Sequence, residues 1–433
     1  MRATFVSISL SALIAIAPAA QTPGAKPAAG KTLDIYVSDV EGGKATLFVS
    51  PTGETVLIDS GNPGPRDQER MAAVLNAAGV KSIDYLLTTH YHVDHVGGMT
   101  ELAKTVPIKA YVDHGPTVEP KEQINGFQAA YAELYSKAKH VIVKPGDKLP
   151  IAGIDWRIVT AGGKSLKTPL PGAGRPNPFC AEFKPRENLR DPENGQSVGS
   201  VITYGKFKTI DLGDLLWDNE FDLMCPNNPV GKVDVYLVSH HGIDASGSTA
   251  LVHGLEPRVA IMQNGTRKGG TLQTATILNS SPNLEDIWQL HWSYNVGVEG
   301  NPPGLMIANI DDPAVIASIL TAPPRGGGPG GTPGAAPGAG TAAAPQAAPA
   351  TPPPTAPVAP PATASAPSSP AMPGAAPAAD AAGRQGGGPG GGRGGGTPPH
   401  AGPANWIKIS AKADGSFTVT NSRNNFRRTY HAK

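Results

Sequence analysis

Apolar and polar positions alternate over Leu33–Val37, Ala45–Ser50 and Thr55–Asp59, with Gly42-Gly43 and Pro51-Thr52-Gly53 between them. Period-two runs separated by turn residues predict three strands of a meander. Apolar residues then recur at Met71, Val74 and Leu75 within 67–78, and Gly79 follows. That spacing predicts a helix with a C-terminal stop. The short apolar run Ile83–Thr88 predicts a buried strand, and it leads directly into Thr89-His90-Tyr91-His92-Val93-Asp94-His95-Val96-Gly97-Gly98. Further strands are predicted at Ile108–Val112, Trp156–Thr160, Ser200–Tyr204, Thr209–Leu212, Val233–Ser239 and Val259–Asn264, with helices at Lys121–Ala138 and Thr271–Leu278. Strands and helices mixed in this order predict an α/β fold, sheet packed on sheet under a cover of helices.

The two ends of the chain break this pattern. Met1-Arg2, the apolar run Phe5–Ala17 and Pro18-Ala19-Ala20 have the three parts of a secretory signal over residues 1–20. The run is too short to cross ~30 Å of hydrocarbon as a helix, so the expected product is secreted or periplasmic, without stable membrane insertion. In 322–404, 65 of 83 positions are Ala, Gly or Pro, too little apolar surface to order itself. As a flexible chain it would span about 50 Å. Beyond it, Trp406–Ser410 and Ser416–Thr420 flank Asp414-Gly415, a hairpin pattern. A lone hairpin is marginal in water. Residues 405–433 are therefore expected to dock on a main domain of 31–321, with 322–404 as a disordered insertion. Lengthening a short connection to that size costs only about 2.5 kcal/mol in closure entropy. A tethered, independent hairpin is the rival arrangement.

Charge narrows the function little. Lys plus Arg total 36 against 35 Asp plus Glu, which excludes a strongly basic nucleic-acid scaffold but not a local basic patch. Lys206, Lys208, Arg267 and Lys268 could line a phosphate-binding rim or simply be solvated surface. Cys180 and Cys225 are the only cysteines. In an oxidising compartment they could pair, with a loop-closure contribution of about 4 kcal/mol, or remain buried thiols. No stretch points to a protein partner.

The chemistry gathers at His90, His92, Asp94 and His95, within six residues at the end of a predicted strand. Imidazole and carboxylate suit zinc, which needs several donors within ~2.0–2.2 Å. A tight loop after a strand can send His90 and His92 to one ion, Asp94 and His95 to a second. Gly97-Gly98 permits close backbone approach.

HxHxDH followed by Gly-Gly resembles the metallo-β-lactamase superfamily, whose αββα sandwich holds one or two metals at the sheet edges. The resemblance implies that Asp59, in Leu57-Ile58-Asp59-Ser60-Gly61, braces the metal loop. It implies a bridging ligand at Asp214, in Thr209-Ile210-Asp211-Leu212-Gly213-Asp214, and a last ligand in Val238-Ser239-His240-His241-Gly242. Of the adjacent pair we choose His240, since neighbours on an extended chain point oppositely; His241 is the alternative. Asp39-Val40-Glu41-Gly42-Gly43, Glu193-Asn194-Gly195-Gln196-Ser197 and Ser239-His240-His241-Gly242 further resemble the soluble domain of ComEC-type DNA-uptake proteins.

One departure stands out. Most catalytic members place a third histidine on the first metal, whereas here only His114 and His140 lie between His95 and Asp214, both too early. Asn194 occupies that region, and an amide oxygen is a weaker zinc donor. The first ion is then loosely held, replaced by a harder one such as manganese, or absent; His291 could substitute, or pack beside Trp288 and Trp292. The N-terminal signal pattern and the resemblance together imply an exported metal-dependent hydrolase in which metal-activated water attacks a small-molecule or phosphodiester substrate, nucleic acid among them, with Asp94 also orienting or deprotonating that water. A lactonase or β-lactamase-like enzyme and a non-catalytic, metal-containing binding protein are the alternatives.

Overall fold

The computed structural model describes residues 31–119, 131–186, 191–310 and 404–433. The export signal assigned to 1–20, residues 322–403 of the biased segment and the first part of the helix predicted at 121–138 lie outside them.

The first sheet takes β1 (Leu33–Val37), β2 (Thr46–Val49), β3 (Thr55–Ile58), β4 (Tyr85–Leu87), β5 (Ala110–Asp113) and β6 (Lys139–Ile142) in chain order. The first three strands pair antiparallel as the turn glycines predict, and β3 to β6 run parallel. The second sheet is built from β7 (Lys148–Leu149), β8 (Asp155–Ala161), β11 (Gly199–Tyr204), β12 (Phe207–Asp211), β14 (Val235–Leu237), β15 (Val259–Met262), β16 (Asp286–His291) and β17 (Ile307–Asn309). Its last five strands, from β12 on, are parallel neighbours. The two-residue β9 (Lys164–Ser165) extends β8 as a hairpin, and β10 (Arg175–Pro176) pairs with β13 (Asn227–Asn228) in a separate ribbon. Next to that ribbon Cys180 and Cys225 are joined as a disulfide, their Cα atoms 5.8 Å apart.

Strand alternation sorts the apolar residues into layers. Ile35, Phe48, Ile58 and Leu87 from the first sheet meet Trp156, Ile202, Leu237 and Trp288 from the second in one inter-sheet core. The opposite face of the first sheet, with Tyr36, Leu47 and Leu57, packs on α1 (Pro65–Ala77), α2 (Val93–Val96), α3 (Met99–Thr105) and α4 (131–137). The opposite face of the second, with Val201, Ile210 and Tyr236, packs on α5 (Trp217–Met224), α6 (Thr249–Leu255) and α7 (Leu272–Asn279). Helix, sheet, sheet, helix is the αββα sandwich. Each fully buried aliphatic side chain contributes about 1.5–3 kcal/mol to it.

Several elements escape the sequence reading. β6, β16 and β17 and helices α5 and α6 were not among the predicted ones; β16 and β17 are short parallel strands buried on both faces, which give no alternation to detect.

The C-terminal strands finish the first sheet. β18 (Ile407–Ala411) pairs antiparallel with β1 from Leu33↔Ala411 to Val37↔Ile407, followed by β19 (Phe417–Asn421) and β20 (Arg427–Tyr430). Ile407, Ile409, Phe417 and Val419 all enter the inter-sheet core. The Tyr430 hydroxyl accepts from Trp288 Nε1 at 3.0 Å and donates to Asp286 Oδ2, so β20 is also tied to the opposite sheet. Phe417 stacks on Tyr430 with ring centroids 4.7 Å apart. Phe417→Ala should cost about 3–5 kcal/mol, the range for emptying an aromatic core position. Urea unfolding checks this, and a loss below about 1 kcal/mol would mean that the hairpin carries little of the fold.

Candidate metal centre

Parallel strands send their C-terminal loops to one edge of each sheet. The site forms where the loops after β3, β4, β12 and β14 meet. The turn after β3 carries Asp59 at φ 59°, a left-handed conformation that costs a non-glycine residue about 1–2 kcal/mol. Its carboxylate takes the Thr89 N–H at 2.8 Å, the Thr89 hydroxyl at 2.7 Å and His95 Nδ1 at 2.8 Å. Asp59 therefore fixes the start and the end of the histidine loop at once. Gly98 is the close approach that lets this loop pass, since a Cβ there would lie 2.1 Å from the Ser60 carbonyl oxygen. Lys44 N donates to the Asp94 carbonyl at 3.0 Å, and buried Lys44 Nζ reaches Asp211 Oδ1 at 2.6 Å, linking the β1–β2 turn to the end of β12.

Four side chains converge. One ligand atom each from Asp94, His95, Asp214 and His241 lies within 4.8 Å of the others. His95 Nε2 is 3.2 Å from Asp214 Oδ2 and 3.4 Å from Asp94 Oδ2; His241 Nε2 is 3.3 Å and 3.1 Å from the same atoms. His90 Nε2 stands 4.0 Å from Asp214 Oδ2. His92 lies to one side, its Nε2 3.1 Å from Glu119 Oε1 and 3.6 Å from Asp191 Oδ1.

The histidines are oriented by the protein through one nitrogen each. Nδ1 of His90, His95, His240 and His241 meets Thr89 Oγ1, Asp59, Ser246 Oγ and the Gln263 carbonyl respectively, leaving Nε2 to face inward. Fixing one ring nitrogen in this way sets the tautomer and direction of a ligand histidine.

His240 and His241 correct the expectation made for them. The chain is not extended there; both residues are left-handed, at φ 53° and 55°, so both side chains turn toward Asp214. His241 also reaches Asp94 and completes the group of four, whereas His240 Nε2 stays 3.5 Å from Asp214 alone. Both histidines thus face the site, with His241 the one inside the group of four. The other histidines considered are engaged elsewhere: His114 Nε2 with Glu193 at 2.9 Å, His140 Nε2 with Asp113 at 2.7 Å and His291 Nε2 with Asp39 at 2.7 Å.

Electrostatics follow from burial and crowding. Burial, and then His95, holds the His90 imidazole well below its usual range, so it is neutral with a lone pair to offer. Burial works against charge on His95, yet Asp214, Asp94 and Asp59 outweigh it and raise His95 well above the ordinary value. Burial likewise opposes ionisation of Asp214 and Asp94, but the surrounding histidines, with Lys268 for Asp94, hold both far below the carboxylate range. Burial pushes His240 down to about 4. Lys268, not anticipated as a contact of Asp94, places Nζ 2.5 Å from Asp94 Oδ2. Lys208 instead bonds the Val230 carbonyl, and Lys206 sits in the β11–β12 turn at the far end of β12.

Does the donor set fit a metal? His90 Nε2, Asn194 Oδ1 and Asp214 Oδ1 are buried with no hydrogen-bond partner, an arrangement that costs about 1–3 kcal/mol per atom unless something binds there. Two ionised carboxylates and inward-facing imidazole nitrogens at this spacing can hold a divalent ion. Asp59→Asn removes the acceptor for His95 and Thr89 and should weaken divalent metal binding 10–100-fold. Calorimetric titration of the apo protein checks this, and unchanged affinity would show that Asp59 does not position the loop.

Residues 39–176 match the metallo-beta-lactamase superfamily model. ComE operon protein 3 of Bacillus subtilis is 29% identical over 194 residues, 44% of this chain and 21% of that protein. Hydroxyacylglutathione hydrolase of Idiomarina loihiensis is 33% identical over 86 residues, 20% of this chain and 27% of that one. Ribonuclease Z of Methanopyrus kandleri is 26% identical over 180 residues, 39% and 60% respectively. The chain thus spans less than two thirds of each of these relatives. The match over residues 39–176, the αββα layers and the histidine loop at the sheet edge identify a metallo-β-lactamase superfamily domain in this chain, and its relatives include ComEC-type competence proteins.

Proposed function

We propose that this protein is an exported, metal-dependent hydrolase of phosphodiesters. The observation that carries the reading is the buried group Asp94, His95, Asp214 and His241 with a lysine ammonium at its rim. Resemblance to proteins named for hydrolysis, one of them a ribonuclease, supports the class. Export agrees with the N-terminal signal pattern and with the Cys180–Cys225 disulfide, which persists in oxidising compartments.

Bound divalent ions would supply a water acidified toward a pKa of ~7 and a Lewis acid for the substrate oxygen. His90, His92, Asp94, His95, Asp214 and His241 would hold them. The chain's own groups do the rest. Asp94 orients the attacking water through its carboxylate. Lys268, its side chain 39% exposed, is free to swing its ammonium to a non-bridging phosphate oxygen, a point charge suited to an anionic substrate. The cleft beside Asp191 and Gly195, lined also by Arg186, Gln196, Trp217 and Asn219, gives the remainder of the substrate a place to lie.

Turnover of bis(p-nitrophenyl) phosphate by the metal-loaded protein tests this. Asp94→Ala should lower kcat at least 100-fold with the fold intact. Lys268→Met should raise KM about tenfold, a loss of roughly 1.4 kcal/mol. Faster turnover of a neutral lactone that ignores Lys268→Met would favour a lactonase-like enzyme. Ligand binding without turnover, unchanged by Asp94→Ala, would favour the non-catalytic reading.

A further inference from the structure

The missing third histidine raises the question of what surrounds His92. Its Nε2 faces two carboxylates, Glu119 Oε1 at 3.1 Å and Asp191 Oδ1 at 3.6 Å. One ligand atom from each of the three lies within 4.8 Å of the others, and none of these residues belongs to the buried group of four. Neither carboxylate is part of a motif.

Glu193 holds this arrangement together. Its Oε1 accepts from Tyr91 N, between His90 and His92, and from His114 Nε2, both at 2.9 Å. Its Oε2 accepts from Thr117 Oγ1 at 2.8 Å and Val118 N at 2.9 Å, immediately before Glu119. Glu193 N and Asn194 N in turn donate to Asp191 Oδ1 at 3.1 and 3.0 Å. Three separate segments, carrying His92, Glu119 and Asp191, are thereby fixed against one another through a single buried side chain. Ion-pairing alone does not explain that convergence, because a buried neighbouring acceptor also has no hydrogen-bond partner. It is Asn194 Oδ1, in the turn that Asp191 caps.

We propose that His92, Glu119 and Asp191 form an outer metal subsite, oxygen-rich and suited to a hard divalent ion such as Mn2+, beside a zinc-type site at Asp94, His95, Asp214 and His241. The inference rests on the metal-dependent reading above. Carboxylate oxygens favour harder ions, whereas a set with equal imidazole and carboxylate donors suits zinc. The outer three side chains are 26%, 15% and 37% exposed, so the outer ion exchanges readily while the buried one is retained.

The experiment titrates Mn2+ into protein carrying only its tightly bound zinc, following the free-ion EPR signal, with zinc content and Tm measured on the same samples. Wild type should take up one Mn2+ per chain. Glu119→Gln and Asp191→Asn should each weaken that uptake at least tenfold while zinc content and Tm stay at wild-type values; Glu101→Gln, an exposed carboxylate on α3, should do nothing. Mn2+ uptake unchanged in both variants, or no uptake by zinc-loaded wild type, would overturn the outer subsite alone. A wild-type protein that retains no zinc would overturn the metal-dependent reading with it.

Discussion

Two ionised carboxylates, Asp94 and Asp214, are brought out of water at one point on the sandwich edge, and the surrounding structure exists to make that tolerable. Burying a carboxylate without compensation costs several kcal/mol even after relaxation. Here the compensation is specific. His95, His241 and Lys268 stand around Asp94, and His95, His241 and His240 around Asp214, each imidazole held by a second contact that decides which nitrogen faces inward. A divalent cation suits this arrangement, since it satisfies carboxylates and imidazole nitrogens together.

The supports lie one contact further out and bind the two sheets together as they do so. Asp59 ties the end of β3 to both ends of the histidine loop. Lys44 and Asp211 form a buried ion pair between the β1–β2 turn and the end of β12. Such a pair adds little net stability, but breaking it costs about 3–5 kcal/mol, so it fixes the spacing of the two halves. His291 closes the far side through Asp39, the first residue of the Asp-Val-Glu-Gly-Gly turn. Positive φ at Asp59, His240 and His241 places backbone strain in the loops that hold the site, as expected where local preference yields to function.

Much of this was legible in the sequence because the information is local. The β1–β3 meander announces itself by turn glycines, and His90 to His95 lie in one short loop. The Asp414-Gly415 turn with its alternating flanks marks the hairpin of β18 and β19, whose first strand pairs with β1. What escaped depends on conformation or on distance along the chain. The choice of His240 over His241 assumes an extended backbone, and two consecutive left-handed residues turn both side chains toward Asp214 instead. Glu119 and Asp191 carry no motif; only the folded loop, pinned by Glu193, brings them to His92. Lys268 was visible as one of four basic residues, yet nothing in the sequence separates it from Lys206 and Lys208, which the β11–β12 hairpin carries away. β16 was missed although it brings Trp288 and Leu290 to the inter-sheet core and His291 to Asp39, because a doubly buried parallel strand shows no alternation.

The measurement that bears most directly on this account is metal content per chain of the purified protein, by elemental mass spectrometry before and after dialysis against a weak chelator. The account predicts close to two divalent ions per chain beforehand and one, zinc, afterwards. A protein that holds no stoichiometric metal, even after reconstitution, would contradict it.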